Sequence, residues 1–372
     1  MRQIPARRAL LVGLLAMFAC GPWAVADDWP QLLGPQRNGI SKESVEPWGD
    51  GGPKLLWRQR VGEGYAGVAV SSGLAVAFHR EGGKNVVEAW TVELGKPAWR
   101  ATFDAPYRGG INSDRGPRCA PVIGGGKVYA YSAGGVLACV DLKSGDLLWT
   151  RALASEYRAL DGYFGAGSTP ILVGRLLLLN VGGRDDAELV ALDAASGRTV
   201  WKHGEDNASY SSPTIMDWEG KPHVVFVTRL HCVGVEPETG KEVFRFRFGQ
   251  TGPTVNAATP LAFDNHLFLS ASYGIGASMY QVGGGKLSPL WNNDNSMSSQ
   301  YTTCVQRDGA LFGIHGREDA GSASLRSVDA KTGKVLWEQD SAVGHLLLAK
   351  NYLIVLEVDG RLRLVEPDKH QY

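Results

Sequence analysis

Apolar residues in this chain come in short runs broken by glycine turns. The clearest unit reads Cys119-Ala120-Pro121-Val122-Ile123, Lys127-Val128-Tyr129-Ala130-Tyr131, Val136-Leu137-Ala138-Cys139-Val140-Asp141 and Leu147-Leu148-Trp149. Runs this short, apolar or alternating and bounded by Gly, predict four antiparallel strands in an up-and-down meander. Ser168-Thr169-Pro170-Ile171, Ser211-Ser212-Pro213-Thr214 and Ala258-Thr259-Pro260-Leu261 open later units in the same way. Proline fits there if it begins an innermost strand, where a missing N–H is tolerated. No amphipathic helix is expected in the mature chain.

Each unit closes on a recurring stretch, best seen in Asp329-Ala330-Lys331-Thr332-Gly333-Lys334-Val335-Leu336-Trp337. Asp329 can accept hydrogen bonds from turn N–H groups, and Gly333 can take the positive φ of a tight turn. Val335 and Trp337 then share one strand face and can pack on a neighbouring sheet. The stretch returns as Asp141 to Trp149, Asp193 to Trp201 and Glu236 to Phe244, and more eroded as Gly95 to Trp99 and Gly283 to Trp291. Trp57 carries only the final strand. The aromatic marks at 57, 99, 149, 201, 244, 291 and 337 are 42, 50, 52, 43, 47 and 46 residues apart. That period holds four short strands and their turns, one propeller blade. The expected fold is therefore an all-β propeller of four-stranded antiparallel blades with seven visible repeats. Pairing of the Trp57 strand with the last three-stranded unit, which ends at Leu362-Arg363-Leu364-Val365, would close a ring of seven. Glu366-Pro367-Asp368 begins another turn motif at the end of the sequence, which suits a piece of a longer ring.

Before the repeats, Arg2, Arg7 and Arg8 precede the apolar run Ala9 to Ala19, and Ala24-Val25-Ala26 offers a cleavage site. Residues 1–26 read as an export signal. Arg7-Arg8 offers a twin-arginine alternative and Cys20 a lipoprotein alternative, although Met17-Phe18-Ala19 is a poor lipid-attachment context. Residues 27–52, punctuated by Gly and Pro, read as an extended arm on the body of the domain, which covers 53–372. The mature chain has no apolar run long enough to span a bilayer. With 38 basic and 38 acidic side chains, it also lacks the charge excess of a nucleic-acid binder. Removing the signal leaves Cys119, Cys139, Cys232 and Cys304. Cys119 and Cys139 fall two strands apart in one sheet, beyond disulfide reach, so buried free thiols are expected.

These residues resemble the pyrroloquinoline-quinone (PQQ)-like propeller repeat, whose signature ends A-x-D-x-x-T-G-x-x-x-W. Ala191-Leu192-Asp193 through Trp201 matches it almost throughout, and the likeness covers roughly residues 53 to 368. Trp29-Pro30, Gly34-Pro35 and Gly39 resemble the arm of exported bacterial members. Members of this family often form eight-bladed rings, so the resemblance implies that the chain is a piece of one. It also implies one of two roles. One is the quinone-dependent dehydrogenase, which holds PQQ and calcium in its funnel. The other is the non-enzymatic branch, which includes the scaffold lipoprotein of the outer-membrane barrel-assembly machine. This sequence has no adjacent cysteine pair, no calcium-binding Glu/Asn/Asp set at matching positions and no long funnel-building insertions. No quinone-site residue carries over.

In a propeller the loops entering the innermost strands gather at one mouth of the channel. Here they run from Asp104 to Arg118, Arg151 to Gly167, His203 to Ser211, Gln250 to Asn256 and Asn292 to Tyr301. The candidate binding residues on them are Arg115, Arg118, Tyr163, Tyr210, Asn256, Asn295, Gln300 and Tyr301. Amides, tyrosines and arginines around a concavity suit a sugar, a carboxylate or a peptide. Asn, Ser and Gly are also what turns require. Arg115 and Arg118 are preferred because no turn demands them. No catalytic set and no metal-ligand spacing emerges, and the histidines are scattered. The expectation is a monomeric, exported, non-catalytic module that needs no cofactor. It would engage a protein or glycan through the funnel mouth or the blade edges. The alternative is a PQQ- and calcium-dependent oxidoreductase of alcohols or sugars.

Overall fold

A computed structural model describes residues 27–49 and 51–372. The expected export signal, with Cys20, lies outside them. Six four-stranded antiparallel sheets cover 69–103, 122–151, 171–203, 214–247, 261–293 and 305–341, and a three-stranded sheet covers 344–365. Strands follow one another in sequence order within every sheet, as a meander requires. The one short helix, Leu153–Glu156, is a single turn between the second and third sheets. Apolar side chains collect in six clusters, each formed by two consecutive blades, from the first and second (Val76, Val87, Val128, Val140) to the sixth and seventh (Phe312, Leu325, Leu346, Val355). The core is thus a series of inter-blade layers, as a propeller demands.

The repeated turn explains the stacking. In the Asp329 turn, the carboxylate accepts the Thr332 N–H at 2.8 Å and the Thr332 hydroxyl at 2.6 Å, and Gly333 sits at φ 73°. Against this glycine lies the indole of the preceding blade: a Cβ on Gly333 would come within 2.7 Å of the Trp291 ring. That indole donates its N–H to the Ala330 carbonyl at 2.9 Å. The same pairing joins Trp57 to Val92 and Gly95, Trp99 to Leu142 and Gly145, Trp149 to Ala195 and Gly197, and Trp201 to Pro237 and Gly240. Trp337 reaches the Asp368 carbonyl at 2.9 Å. A β-bulge recurs in the outer strand pair of all six four-stranded sheets, immediately beyond the residue facing the aromatic. Its extra twist turns the ring toward the next blade.

Prolines precede the innermost strands as expected, at Pro121, Pro170, Pro213 and Pro260. The hydroxyls beside them bind neighbouring blades to one another. Thr169 accepts the Ala120 N–H at 3.2 Å, Ser212 the Thr169 N–H at 3.0 Å and Thr303 the Thr259 N–H at 3.0 Å.

The arm crosses these innermost strands. Trp29 bridges to Val70, the Pro30 carbonyl accepts the Ile123 N–H, and Ile40 bridges to Leu348. Between them Arg37 is only 1% exposed and donates to the Thr169, Pro170 and Pro213 carbonyls and to Gln31 Oε1. Burial pulls its guanidinium down to about 9, so it remains a cation at neutral pH. Three carbonyls, with no carboxylate, balance it.

The expected closure of the ring does not form. Residues 53–61 carry no strand, and Leu55 and Leu56 are 65% and 71% exposed. Leu362–Val365 therefore has no outer partner among the described residues. Trp57 itself rests on the first blade, at Val92 and Gly95, as the aromatic of a preceding blade does, but residues 53–61 around it pair with no strand. Leu356, Val358 and Leu362 are exposed at the last blade, facing no seventh apolar cluster. The arm, touching both Val70 and Leu348, is what links the first blade to the last.

Two outcomes follow from the turn. Gly333→Ala meets both a left-handed backbone and the Trp291 ring, whereas Gly321→Ala meets only the backbone, at φ 63° with nothing within 4 Å of its Cβ. Gly333→Ala should cost about 2–5 kcal/mol and Gly321→Ala about 1–2 kcal/mol in guanidinium unfolding. Equal costs would show that the ring contact is unimportant.

Hydrogen bonds from the backbone and hydroxyl of Ser144 hold Asp141 below the usual carboxylate range, as those of Ser196 and Thr332 do for Asp193 and Asp329. A depressed folded-state pKa stabilises fully above the unfolded value of about 4 and is lost as pH falls through the folded one. Unfolding midpoints should therefore drop below about pH 4. The triple Asp→Asn variant should drop less steeply; an unchanged slope would refute the assignment.

Candidate functional site

The loops entering the innermost strands of the third, fourth and fifth blades meet in a cleft of about 160 Å³. Its walls come from Leu160, Gly162 and Tyr163, from 207–210, from Arg229 and from 254–256. Tyr210 forms one wall. Its phenol oxygen accepts the N–H groups of Tyr163 and Phe164 at 2.8 and 3.0 Å, and its ring meets Phe164 edge-on at 5.5 Å. Burial raises its pKa, so it stays a neutral hydroxyl with its own proton left to donate. Asn256 is 1% exposed, and its Nδ2 donates to the Thr228, Arg229 and Phe248 carbonyls. Its Oδ1 and that of Asn207 are buried and have no hydrogen-bond partner. Arg229 donates from Nη1 to the Gln250 carbonyl and Thr254 Oγ1, and from Nη2 to the Gly252 carbonyl.

The structure thus gathers Tyr163, Tyr210 and Asn256 from the eight candidates and separates the rest. Arg118, preferred as a binding residue because no turn demands it, is engaged by its own loop. It donates to the Phe164 and Gly116 carbonyls and to the carbonyl and Oδ1 of Asp114, with the last three bonds at 2.7 Å. Its guanidinium also lies 5.1 Å from the centroid of the Tyr65 ring. Arg115 is exposed and away from the cleft lining. Gln300 and Tyr301 belong to a separate cluster. Gln300 bonds Tyr273 and the Glu318 N–H, and Tyr301 donates to Glu318 at 3.0 Å. Asn295 is exposed and engaged through its backbone, its N–H donating to Asn293 Oδ1 at 3.0 Å and its carbonyl accepting from Arg326 at 2.6 Å.

Sequence reasoning missed Arg229, which sits in a hairpin between middle strands and not in a loop entering an innermost strand. It also left the histidines unpaired. Among the described residues His79 lies 2.6 Å from Glu88, His203 2.9 Å from Glu242 and His231 3.0 Å from Asp206. The latter two flank a groove where the fully buried Glu188 pairs with Arg245. Each histidine has one carboxylate, and among the described residues no three His, Cys, Asp or Glu converge as metal ligands. Cys119, Cys139, Cys232 and Cys304 are buried and free. Burial pushes the thiols of Cys119, Cys139 and Cys304 up to about 12, which makes them unreactive.

Sheets radiating from a channel, with a polar cleft among the loops at its mouth, define a β-propeller of the PQQ-like type. The family model described as outer membrane protein assembly factor BamB matches residues 49–228 and 185–346, and the chain belongs to this family. The structure resembles BamB from Moraxella catarrhalis with a TM-score of 0.61 and 17% identity, over 82% of this chain and 86% of that one. It also resembles quinohemoprotein alcohol dehydrogenase ADHIIG from Pseudomonas putida HK5 with a TM-score of 0.64 and 13% identity, over 92% and 71%. In sequence, quinohemoprotein alcohol dehydrogenase ADH-IIG of Pseudomonas putida is 24% identical over 281 residues, 68% of this chain and 37% of that protein. The Comamonas testosteroni quinohemoprotein alcohol dehydrogenase is 23% identical over 63% of this chain and 34% of its own length. The chain therefore spans little more than a third of these curated relatives. Among the described residues no helix is long and apolar enough to cross a membrane.

Removing Arg118 tests its structural part. Arg118→Ala removes the donor from the Phe164, Gly116 and Asp114 carbonyls and the counter-charge from the Asp114 carboxylate, and should lower stability by about 2–3 kcal/mol. A loss below about 0.5 kcal/mol, the range of ordinary surface substitutions, would return Arg118 to the list of binding residues.

Proposed function

We propose that the chain is an exported, non-catalytic propeller that binds a protein or glycan partner at the cell envelope, through the funnel mouth or exposed blade edges. One observation supports this above the others: the mouth holds a cleft in which two buried amide oxygens lack partners, alongside a tyrosine hydroxyl free to donate. Buried polar atoms are normally satisfied, and leaving one unpaired costs about 1–3 kcal/mol. Groups arranged this way suit capture of a ligand and supply no nucleophile with an adjacent base. The unpaired edge at Leu362–Val365 offers a second surface, where an extended segment of a partner could add a strand. Membership in a family described as an outer membrane assembly factor favours the envelope setting. The reading carries the chain as a monomer that does not contact nucleic acid, in line with its zero net charge.

The quinone reading is supported by the likeness to the dehydrogenase relatives, and the residues of this cleft do not fit PQQ with calcium. The cleft, at about 160 Å³, falls short of the roughly 300 Å³ at which cofactor-sized pockets begin. Its lining contains the cation Arg229 and no carboxylate, the reverse of a calcium site.

Adding PQQ with calcium to the purified mature protein decides between the two. Quinone at a hundred times its dissociation constant would stabilise the protein by about 2.7 kcal/mol. The expected outcome is an unchanged melting temperature and no dye-linked oxidation of alcohols or sugars. A shift accompanied by turnover would replace the scaffold reading with the dehydrogenase one.

A further inference from the structure

We infer that the cleft at the mouth binds a sugar acid, one hexuronic acid residue free or at the end of a glycan. This rests on reading the mouth as a binding site and names what it binds. The pattern of donors and acceptors carries the inference. Asn207 Oδ1 and Asn256 Oδ1 are buried acceptors with nothing donating to them, so the occupant must bring two donors. Asn256 cannot turn its amide around to satisfy itself, because Nδ2 already spans three backbone carbonyls. Opposite demands come from the other residues. Tyr210 receives two N–H bonds and keeps a proton to give. Arg229 uses three of its five N–H groups on its own loop, leaving Nε and one Nη2 proton. It has no carboxylate within ion-pair distance among the described residues, although most arginines at this mouth do. A guanidinium with spare donors and no counter-charge calls for an anionic acceptor, and a carboxylate matches its planar fork.

Vicinal ring hydroxyls supply two donors side by side, and the ring carboxylate supplies the acceptor. A peptide backbone offers one N–H and one C=O per residue, so meeting two adjacent acceptors would turn a peptide carbonyl against one of them. A lysine side chain would bring donors but also a second cation beside Arg229. A divalent metal finds no carboxylate in the lining. Leu160, Val255 and the rings of Tyr163 and Tyr210 add apolar surface for the C–H face of the sugar. The volume, about 160 Å³, admits one ring and not a chain of them, so a polymer would be held by its end.

The test is calorimetric titration of the intact mature protein with D-glucuronate, D-galacturonate, D-glucose and a glutamine-containing tripeptide. At least one uronate should bind with a dissociation constant at least tenfold below that of glucose, and the peptide should not compete. Arg229→Gln should erase the uronate preference. Asn207→Leu, which leaves the Arg229 bonds in place, should weaken uronate and glucose together by tenfold or more. Circular dichroism and melting curves establish that both variants are folded. If Arg229→Gln unfolds, the Asn207→Leu comparison still decides. Equal binding of glucose and uronate, peptide binding alone, heat in no titration, or a preference that survives Arg229→Gln would each overturn the inference. Silence toward every sugar would leave the broader binding role to the quinone assay, so the two readings fail separately.

Discussion

The fold leans on one recurring contact: at five junctions, from Trp57 on Gly95 to Trp291 on Gly333, an indole rests on the glycine of the next blade's turn. Three features serve it. Glycine must be there because the backbone is left-handed and because a Cβ would enter the ring, to 2.6 Å at Gly95 and 2.7 Å at Gly333. Where they are kept, the acid and hydroxyl before it hold the turn closed, as Asp193 does by accepting the N–H and hydroxyl of Ser196 at 2.9 and 2.6 Å. The bulge in the outer strand pair must aim the aromatic outward. One sequence motif therefore encodes both a local turn and the spacing between sheets, which is why it recurs while the strands between vary freely.

That latch operates at the periphery and leaves the axis to other forces. Near the channel, hydroxyls at Thr169, Ser212 and Thr303 tie the second blade to the third, the third to the fourth and the fifth to the sixth. Arg37 completes the arrangement from the arm. A buried cation satisfied by carbonyls of two blades fixes where those blades begin, and Thr169, Pro170 and Pro213 lie only a few residues along the chain from the loops of Tyr163 and Tyr210. The arm thereby braces the floor beneath the cleft. At the seam the latch is made without its strand. Trp57 rests on Val92 and Gly95 of the first blade as a preceding blade's aromatic would, while residues 53–61 pair with no strand and Leu362–Val365 has no outer partner among the described residues.

The blades were legible because their physics is local and periodic. A turn glycine, a cap and a strand period of two are written within ten residues and repeated, and even Pro before the innermost strand could be placed from its missing N–H. The bulges were not legible, since inserting one residue into a pairing leaves no mark in either strand alone. Arg37 was hidden for a related reason. An arginine in a Gly-Pro-rich arm looks like a solvent-facing charge, and its three carbonyl partners lie more than 130 positions away in sequence. The site was half visible. Tyr163, Tyr210 and Asn256 could be assigned to the mouth from loop topology. Arg229 could not, because only the folded sheet brings a middle-strand hairpin to the same place.

What separates scaffold from site at this mouth is the hydrogen-bond balance of each side chain, which residue type does not reveal. Arg118 and Arg229 are both loop arginines. Arg118 donates to the Phe164, Gly116 and Asp114 carbonyls and pairs with the Asp114 carboxylate, which neutralises it. Arg229 keeps donors in hand and has no acid beside it. Gln300 and Asn256 divide in the same way: the first has both ends of its amide satisfied by Tyr273 and Glu318, while the second has its nitrogen saturated and its oxygen empty. A rigid ring can hold such imbalances open because its stability resides elsewhere, in the indole contacts and the inter-blade layers. The loops at its mouth are then free to carry groups that only a ligand can satisfy.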